Sequence, residues 1–160
     1  MSVHSAGILL FRFRNGELQV LLVHPGGPFW SGKDEGAWSI PKGVFEELES
    51  PLDAAKREFK EETGFEAEGL FIELGQISQP SKKIVHAWAM QYDIDERLAK
   101  SNKFTMEWPR NSGMIREFPE IDRAEWFDVE KARKKILKGQ AGFIDRLIEE
   151  VKYAQKFEAG

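Results

Sequence analysis

Three glutamates in one short segment have the residue type and the spacing to hold a metal ion. Glu58, Glu61 and Glu62 lie in the stretch "KREFKEETGF" at intervals of three and four residues. Such intervals place side chains on the same side of an α-helix, where like charges repel and weaken the helix. A hard divalent cation would convert that repulsion into coordination by oxygen. Spacing alone still favours the other interpretation, a charged and solvated helix face.

The residues around the glutamates predict a helix with defined ends. Ser50 is a good N-cap, Pro51 suits the first helical position, and Gly64 is a natural stop after Thr63. On a helical wheel the carboxylates share an arc of about 100° that borders the apolar stripe. We therefore expect the acids to lie where the helix meets the rest of the protein.

The other elements that must position this helix are mainly strands. Asn15-Gly16 between two apolar runs predicts a β-hairpin, and the run "LLV" in its second strand predicts burial on both faces. Strands and helices are mixed without regular alternation, which indicates an α+β protein or a mixed-sheet sandwich with helices packed on the sheet. We predict strands over Val3–Phe13, Leu18–His24, Leu70–Gln79, Ile84–Asp93 and Ala124–Val129, helices over Val129–Leu137 and Gly142–Gln155, and irregular structure over Pro25–Ala37 and Lys100–Phe118.

Length and composition bound the classes of function. With 160 residues we expect one domain over residues 1–160. There are no cysteines and the three histidines are scattered, so a metal would be held by oxygen, as Mg²⁺ and Mn²⁺ are. The net charge of −4 argues against nucleic acid as a partner. No signal peptide or membrane span is evident, and we expect a cytoplasmic protein.

The segment from Gly43 to Phe65 carries a longer pattern. It reads "GVFEELESPLDAAKREFKEETGF" and resembles the 23-residue signature of the Nudix hydrolases, with every fixed polar and glycine position met. Phe59 stands where the family usually has an aliphatic residue. The resemblance implies an α/β/α sandwich with a mixed sheet. It also implies hydrolysis of a nucleoside diphosphate linked to another group, with Mg²⁺ or Mn²⁺ as cofactor.

The resemblance also implies roles within the signature. Three residues are assigned to catalysis, without choosing which glutamate activates water: Arg57, Glu58 and Glu61. The implied metal ligands are Glu58, Glu61 and Glu62, with the backbone carbonyl of Gly43. Arg57 would orient a glutamate of the cluster, and Glu49 would support Arg57.

Residues outside the signature point to one branch of the family. "WSIPKG" and "KKIVHAW" resemble segments of the diadenosine tetraphosphate hydrolases, so Lys42 and Lys83 are implied to contact substrate phosphate. Each has the alternative of a solvated lysine. Ala87 replaces the tyrosine with which this branch stacks on adenine. Phe29 and Trp30 are the candidates to replace it, and their alternative is packing back onto the domain.

A further acid is expected to complete the metal site. In this branch a glutamate lies six residues before the tryptophan of the last strand, and Glu120 has that position relative to Trp126. Glu117 and Glu125 are the competing candidates. Glu125 adjoins Trp126 in a strand and so faces the other side.

The resemblance indicates one reaction, hydrolysis of a pyrophosphate bond, but leaves the identity of the substrate open. The leading hypothesis is a dinucleoside polyphosphate such as diadenosine tetraphosphate. The alternatives are a nucleoside triphosphate, an oxidised nucleotide, a nucleotide sugar or the 5′ end of an RNA. A hypothesis of a different class is a non-catalytic nucleotide sensor, but such sensors generally lose motif glutamates that this chain keeps. The resemblance also leaves a homodimer open.

Overall fold

A computed structural model describes residues 2–46 and 48–159, with side chains described as far as residue 152. The strands are β1 Val3–Arg14, β2 Glu17–Pro25, β3 Lys42–Val44, β4 Ile72–Ser78, β5 Lys83–Gln91, β6 Lys103–Glu107, β7 Ile115–Pro119 and β8 Ile121–Asp128. The helices are α1 Pro51–Thr63, α2 Val129–Lys135 and α3 Ala141–Ala159, with short 3₁₀ turns at Glu96–Leu98 and Lys138–Gln140.

The main sheet is mixed, as predicted. Its strand order is β4-β5-β1-β2-β8, and β3 pairs with β1 beside the end of β2. The central pair β1 and β5 is parallel, whereas β1 pairs antiparallel with both β2 and β3. The predicted turn joins β1 to β2 with positive φ at Asn15 and Gly16 (54° and 78°), as a type I′ turn requires.

Helices cover both faces of this sheet, which confirms the sandwich architecture. On one face α1 packs against alternate residues of β1, including Ile8 and Leu10, through Ala55 and Phe59. On the other face α3 covers Leu9 and its neighbours, and α2 packs beside it. The "LLV" run of β2 is fully buried because β2 has a packed layer on each side.

Local capping explains where α1 begins and ends. The Ser50 Oγ atom accepts a hydrogen bond from the Asp53 N–H (3.2 Å), and Pro51 occupies the first turn. Gly64 adopts φ 81° and donates its N–H to the Lys60 carbonyl at 2.8 Å. The glutamates of the signature are therefore held on a helix with fixed ends.

The prediction that Lys100–Phe118 is irregular was wrong for about half of this segment, at Lys103–Glu107 and from Ile115 onward. β6 and β7 form a separate antiparallel hairpin in this segment, pairing from Lys103↔Pro119 to Glu107↔Ile115. Each strand has only five residues, and they pair with each other outside the main sheet. The hairpin consequently lacks the continuous apolar run that marks a buried strand.

The helices give no sign of a membrane span. Within the part of the chain that the structure describes, no helix is both long and apolar enough to cross a bilayer.

Candidate active site

Glu58 is seated directly on the backbone of Gly43. β3 pairs Gly43 with Ala6 of β1, and α1 packs against the same stretch of sheet. A Cβ atom on Gly43 would overlap the Glu58 carboxyl group, so glycine is required by this approach. Glu58 is 9% exposed. Burial raises the pKa of Glu58, and the charges of Glu61 and Glu120 raise it further, against the effect of Arg57.

Arg57 forms hydrogen bonds with three carboxylates, those of Glu49, Glu58 and Glu61. It donates from Nε and Nη2 to both oxygens of Glu49 (2.9 Å each). Its Nη1 donates to Glu58 at 2.7 Å and to Glu61 at 3.3 Å. The hydrogen bonds to Glu49, and then the one to Glu58, raise the pKa of Arg57, and the bonds from Arg57 hold the pKa of Glu49 below its usual range. The result is a fixed fork that orients two acids of the cluster.

Glu62 lies on the inner side of the same cluster. Its carboxyl group accepts a hydrogen bond from the backbone N–H of Lys42 at 3.2 Å, which joins the helix to β3. Burial raises the pKa of Glu62 to about 8, with Glu58 and Glu120 adding to the effect and Lys42 opposing it. A divalent cation at this position would favour the ionised form of the Glu62 carboxyl group.

Glu120 faces the cluster from the junction between β7 and β8. Burial raises its pKa, and the charge of Glu61 raises it further. Backbone bonds hold this position from two sides. The Glu120 carbonyl accepts from Gly26 N–H (2.9 Å), and Glu120 N–H donates to the Asn102 carbonyl (2.8 Å). Asn102 in turn donates to the Glu61 carbonyl at 2.8 Å, so a chain of main-chain bonds connects Glu120 to α1.

The two competing acids lie elsewhere. Glu117 is exposed and pairs with Lys103 across the hairpin at 3.3 Å. Glu125 pairs in register with Leu22 of β2, whose side chain belongs to the core beneath α3. Among the three candidates, Glu120 is therefore the one placed against the signature glutamates.

The donor set fits a hard divalent cation. Carboxylate and carbonyl oxygens are the ligands that Mg²⁺ and Mn²⁺ prefer, and the cradle at Gly43 brings a buried carboxyl group against the main chain. Within residues 2–46 and 48–152, no three His, Asp or Glu side chains converge into an assembled metal site. Arg57 bonds to Glu58 and Glu61 at once, and its positive charge offsets part of the repulsion between these two acids.

Lys42 and Lys83 lie near each other at the edge of this cleft. Burial lowers the pKa of Lys42, and the positive charge of Lys83 lowers it further, whereas Glu62 and Glu58 raise it. Lys42 is in β3 and Lys83 is the first residue of β5, so both flank the N-terminal half of β1. The structure thus places Lys42 next to the acids and Lys83 near Lys42, which suits a substrate that carries phosphates.

The aromatic residues of the loop lie further out. Phe29 contacts Trp108 of the hairpin turn edge to face, with 5.5 Å between ring centroids. The ammonium group of Lys33 lies over the ring of Trp30 at 5.1 Å. No hydrogen bond or ring contact among the described residues joins Phe29 or Trp30 to the acids. His24 anchors the loop, with Nδ1 2.8 Å from Asp122 and Nε2 2.7 Å from the Lys33 carbonyl.

Sequence reasoning missed two parts of this region. The backbone of Asn102, which supports Glu120, left no pattern that could have revealed it. Trp108 and the hairpin did leave one, because apolar and polar residues alternate through "KFTMEW". That alternation is typical of a half-buried strand.

Relatives with named activities are similar to this chain at modest identity. An octanoyltransferase from Myxococcus xanthus is 28% identical over 134 residues, which cover 84% of this chain but 33% of that protein. The asymmetrical bis(5′-nucleosyl)-tetraphosphatase of Sus scrofa is 29% identical over 118 residues, covering 64% of this chain and 76% of the relative. An RNA pyrophosphohydrolase from Bartonella bacilliformis is 29% identical over 103 residues, covering 58% of each.

Solved structures share the fold. The NUDIX domain of Shewanella oneidensis NrtR complexed with ADP ribose aligns with a TM-score of 0.65 at 14% identity, covering 94% of this chain and 89% of the other. A C. elegans Ap4A hydrolase binary complex aligns with a TM-score of 0.60 at 21% identity, covering 94% and 98%. These likenesses are evidence of architecture alone.

The family follows from the chain's own sequence. The family model of the NUDIX domain matches residues 1–147, which include the signature, the sheet and the start of α3. This match confirms the resemblance drawn from the signature. The chain therefore belongs to the Nudix family of pyrophosphohydrolases.

Proposed function

We propose that this protein hydrolyses a pyrophosphate bond in a dinucleoside polyphosphate, with diadenosine tetraphosphate as the expected substrate. The observation that carries the proposal is the Glu58 carboxyl group seated on Gly43 and bonded to Arg57. This arrangement fixes an acid of the cluster against the main chain of Gly43. The similarity to the tetraphosphatase of Sus scrofa supports the choice of substrate.

The residues of the cleft have different roles in the proposed reaction. Glu58, Glu61, Glu62 and Glu120, with the Gly43 carbonyl, would hold Mg²⁺ or Mn²⁺. A bound divalent cation shields phosphate oxygens and lowers the pKa of a coordinated water. Glu58 or Glu61 accepts the proton of the attacking water, since both lie within reach of Arg57, which sets their orientation.

The substrate would be oriented by groups beside the acids. Lys42 and Lys83 contact its phosphates, and Phe29 or Trp30 stacks on a base. Glu49 holds Arg57 through two hydrogen bonds and takes no direct part in the chemistry. Water adds to one phosphorus and the bond to the bridging oxygen breaks, so diadenosine tetraphosphate and water give ATP and AMP.

The test is a product analysis with Mg²⁺ on a panel of nucleotides, including diadenosine tetraphosphate, ATP, an oxidised nucleoside triphosphate and an RNA with a 5′ triphosphate. We expect ATP and AMP in equal amounts from diadenosine tetraphosphate, with a higher kcat/KM than for the other substrates. Two molecules of ADP, or no turnover of this substrate, would contradict the proposal.

A second substrate has some support. The similarity to the RNA pyrophosphohydrolase of Bartonella bacilliformis favours an RNA 5′ end, although the net charge of −4 opposes a polyanion as ligand. In the panel this alternative predicts pyrophosphate release from the RNA at a higher kcat/KM than from any dinucleotide. A non-catalytic sensor predicts binding without products from every substrate.

A further inference from the structure

The loop after β2 runs alongside the hairpin of β6 and β7, residues 103–119, which we call the arm. Three contacts join the two in order along the arm: Gly26 to Glu120 by a 2.9 Å hydrogen bond, Gly27 to the ring of Phe104, and Phe29 to the ring of Trp108. The arm and the loop therefore form one surface. It starts at an acid of the cleft and ends at a pair of aromatic rings.

The side of the arm that faces the loop is mostly aromatic and carries one cation. Phe104, Met106 and Trp108 alternate with exposed residues and are half-buried. Phe104 pairs with Phe118 across the hairpin, with ring centroids 5.9 Å apart. Met106 pairs with Arg116, so this guanidinium belongs to the same side. A positive charge thus lies between the cleft and the end of the arm.

The end of the arm has the features of a stacking site. Trp108 and Phe29 meet at an interplanar angle of 76°, and Phe29 is 54% exposed. An edge-to-face pair holds each ring in place while the exposed ring surface stays available to a ligand. Nucleobases stack on such rings whatever their sequence, because every base has a π face.

The length of the arm suits a ligand that carries a nucleobase at each end of a phosphate chain. The backbone N–H of Trp108 donates to the Met114 carbonyl at 2.9 Å, and Met114 lies six positions before Glu120. At roughly 3.3 Å per residue, this is a path of about 20 Å. A dinucleoside polyphosphate carries its second base beyond the phosphates that would occupy the cleft, and a path of about 20 Å is long enough to reach such a base.

We propose that Trp108, together with Phe29, binds a nucleobase of the substrate at the end of the arm, and that Trp108 is a specificity-determining residue. This inference rests on the proposed function for the class of substrate. Arg116 faces the phosphates or ribose between the cleft and this base. The hairpin thereby acts as a second recognition element, in addition to the lysines beside the acids.

The first experiment measures hydrolysis of diadenosine tetraphosphate by Trp108→Ala, Trp108→Phe and the wild type. We expect Trp108→Ala to raise KM roughly 5- to 150-fold, the range for loss of one base–aromatic stack, with kcat within about twofold. Trp108→Phe keeps an aromatic face and should restore most of the affinity. Tyr92→Ala removes an aromatic residue that is 43% exposed on another part of the surface, and it should change neither constant.

The second experiment measures equilibrium binding of AMP and of ribose 5-phosphate by calorimetry, with circular dichroism as a check on folding. The wild type should prefer AMP, and Trp108→Ala should lose that preference. Equal binding of both ligands by the wild type, or an unchanged preference in Trp108→Ala, would overturn the stacking site. So would an equal rise of KM in Trp108→Phe and Trp108→Ala, since that would indicate packing.

The two experiments separate this inference from the proposed function. If the wild type hydrolyses no dinucleotide but prefers AMP through Trp108, the proposed substrate is wrong and the stacking site stands. If it hydrolyses diadenosine tetraphosphate with a KM that Trp108→Ala leaves unchanged, the function stands and the stacking site is wrong.

Discussion

The cleft at α1 and the arm differ in the interactions that hold their side chains in place. In the cleft, charged side chains are held by hydrogen bonds to one another and to the main chain, as Arg57 shows with Glu49 and Glu58. On the arm, aromatic rings pack edge to face against a loop, and the two strands pair only with each other in the described sheets. The cleft is anchored in the main sheet, whereas the arm lies outside it.

This contrast assigns different tasks to the two regions. The glutamates of the cleft must keep their positions within fractions of an ångström, and they lie on a capped helix that packs against a buried strand. Recognition of an extended ligand tolerates a looser support, because stacking depends on area and is less sensitive to angle. We therefore expect changes in the cleft to lower kcat and changes on the arm to raise KM.

The largest expected effect comes from the acids themselves. Glu61→Gln should lower kcat for the preferred nucleotide at least about 100-fold, because a neutral amide is a poor ligand for a divalent cation and a poor base. Folding should be kept, and thermal stability without metal should rise slightly as repulsion is relieved. Glu66→Gln is the control, an exposed acid just beyond the same helix that pairs with Lys60. Wild-type turnover by Glu61→Gln would remove this residue from the cleft's chemistry.

The next effect probes how the acids are oriented. Arg57→Lys should lower kcat about 10- to 100-fold, since an ammonium group cannot make the forked contact with Glu49 while also reaching Glu58. Glu49→Gln should cost less, because it leaves the bond from Arg57 to Glu58 in place. Lys60→Arg is the matched control on the exposed side of the helix. Equal activity of Arg57→Lys and the control would show that the fork is dispensable.

A smaller effect tests the contact between loop and arm. Gly27 has φ 96° and lies against the ring of Phe104, so Gly27→Ala should destabilise the fold by roughly 1–3 kcal/mol. Denaturant unfolding measures this loss of stability. In steady-state kinetics the variant should raise KM more than it lowers kcat. Gly32→Ala in the same loop meets no other atom within 4 Å and should be neutral. A pure loss of kcat in Gly27→Ala would contradict the division between the two regions.

The smallest expected effect is a pH dependence of stability, and it comes from a histidine pair outside both regions. His86 Nε2 is 3.0 Å from His4 Nδ1, and Phe45 packs on both rings. Burial lowers the pKa of His86, and the charge of His4 lowers it further, against Glu73. A depressed pKa in the folded state means that the unfolded chain binds the proton more readily, so this contribution to stability is lost as pH falls below about 6.5.

The variant His86→Gln should lose that part of the pH dependence between about pH 5 and 7 in denaturant unfolding. His4→Gln should lose a smaller part, because burial remains the main cause of the shift at His86. An unchanged slope in His86→Gln would show that another group governs stability in this range.

Local signals explain which parts of the fold were predictable. The ends of α1 follow from Ser50, Pro51 and Gly64, whose effects act within a few residues, and the structure has them as predicted. The contact of Arg57 with Glu49 likewise lies within one short segment, although the resemblance rather than the spacing suggested it. In α3, Phe143 and Leu147 lie four positions apart on one face of the helix and pack on the sheet, so this contact also has a local signal.

The arm was missed because its two strands lie outside the main sheet and pack on a loop that is distant in sequence. Its strands are short, and Gly, Pro and Asn residues in the connection obscure the alternation. The packing of Phe104 against Gly27 joins residues 77 positions apart. Nothing in the local pattern reports such a contact. For the same reason Trp108 was not among the candidates for substrate binding, although Phe29, its partner, was.

If Glu120 binds the cation and the arm binds the nucleotide as proposed, the main-chain bonds at Glu120 should link the affinities of these two ligands. Glu120 is the residue at which the loop, the arm and the segment leading from α1 meet, through Gly26 and Asn102. A nucleotide that fixes the arm also fixes the position of this carboxylate. A cation that binds this carboxylate fixes the arm in return. By reciprocity, each ligand should tighten the binding of the other by the same factor, so the two should bind cooperatively.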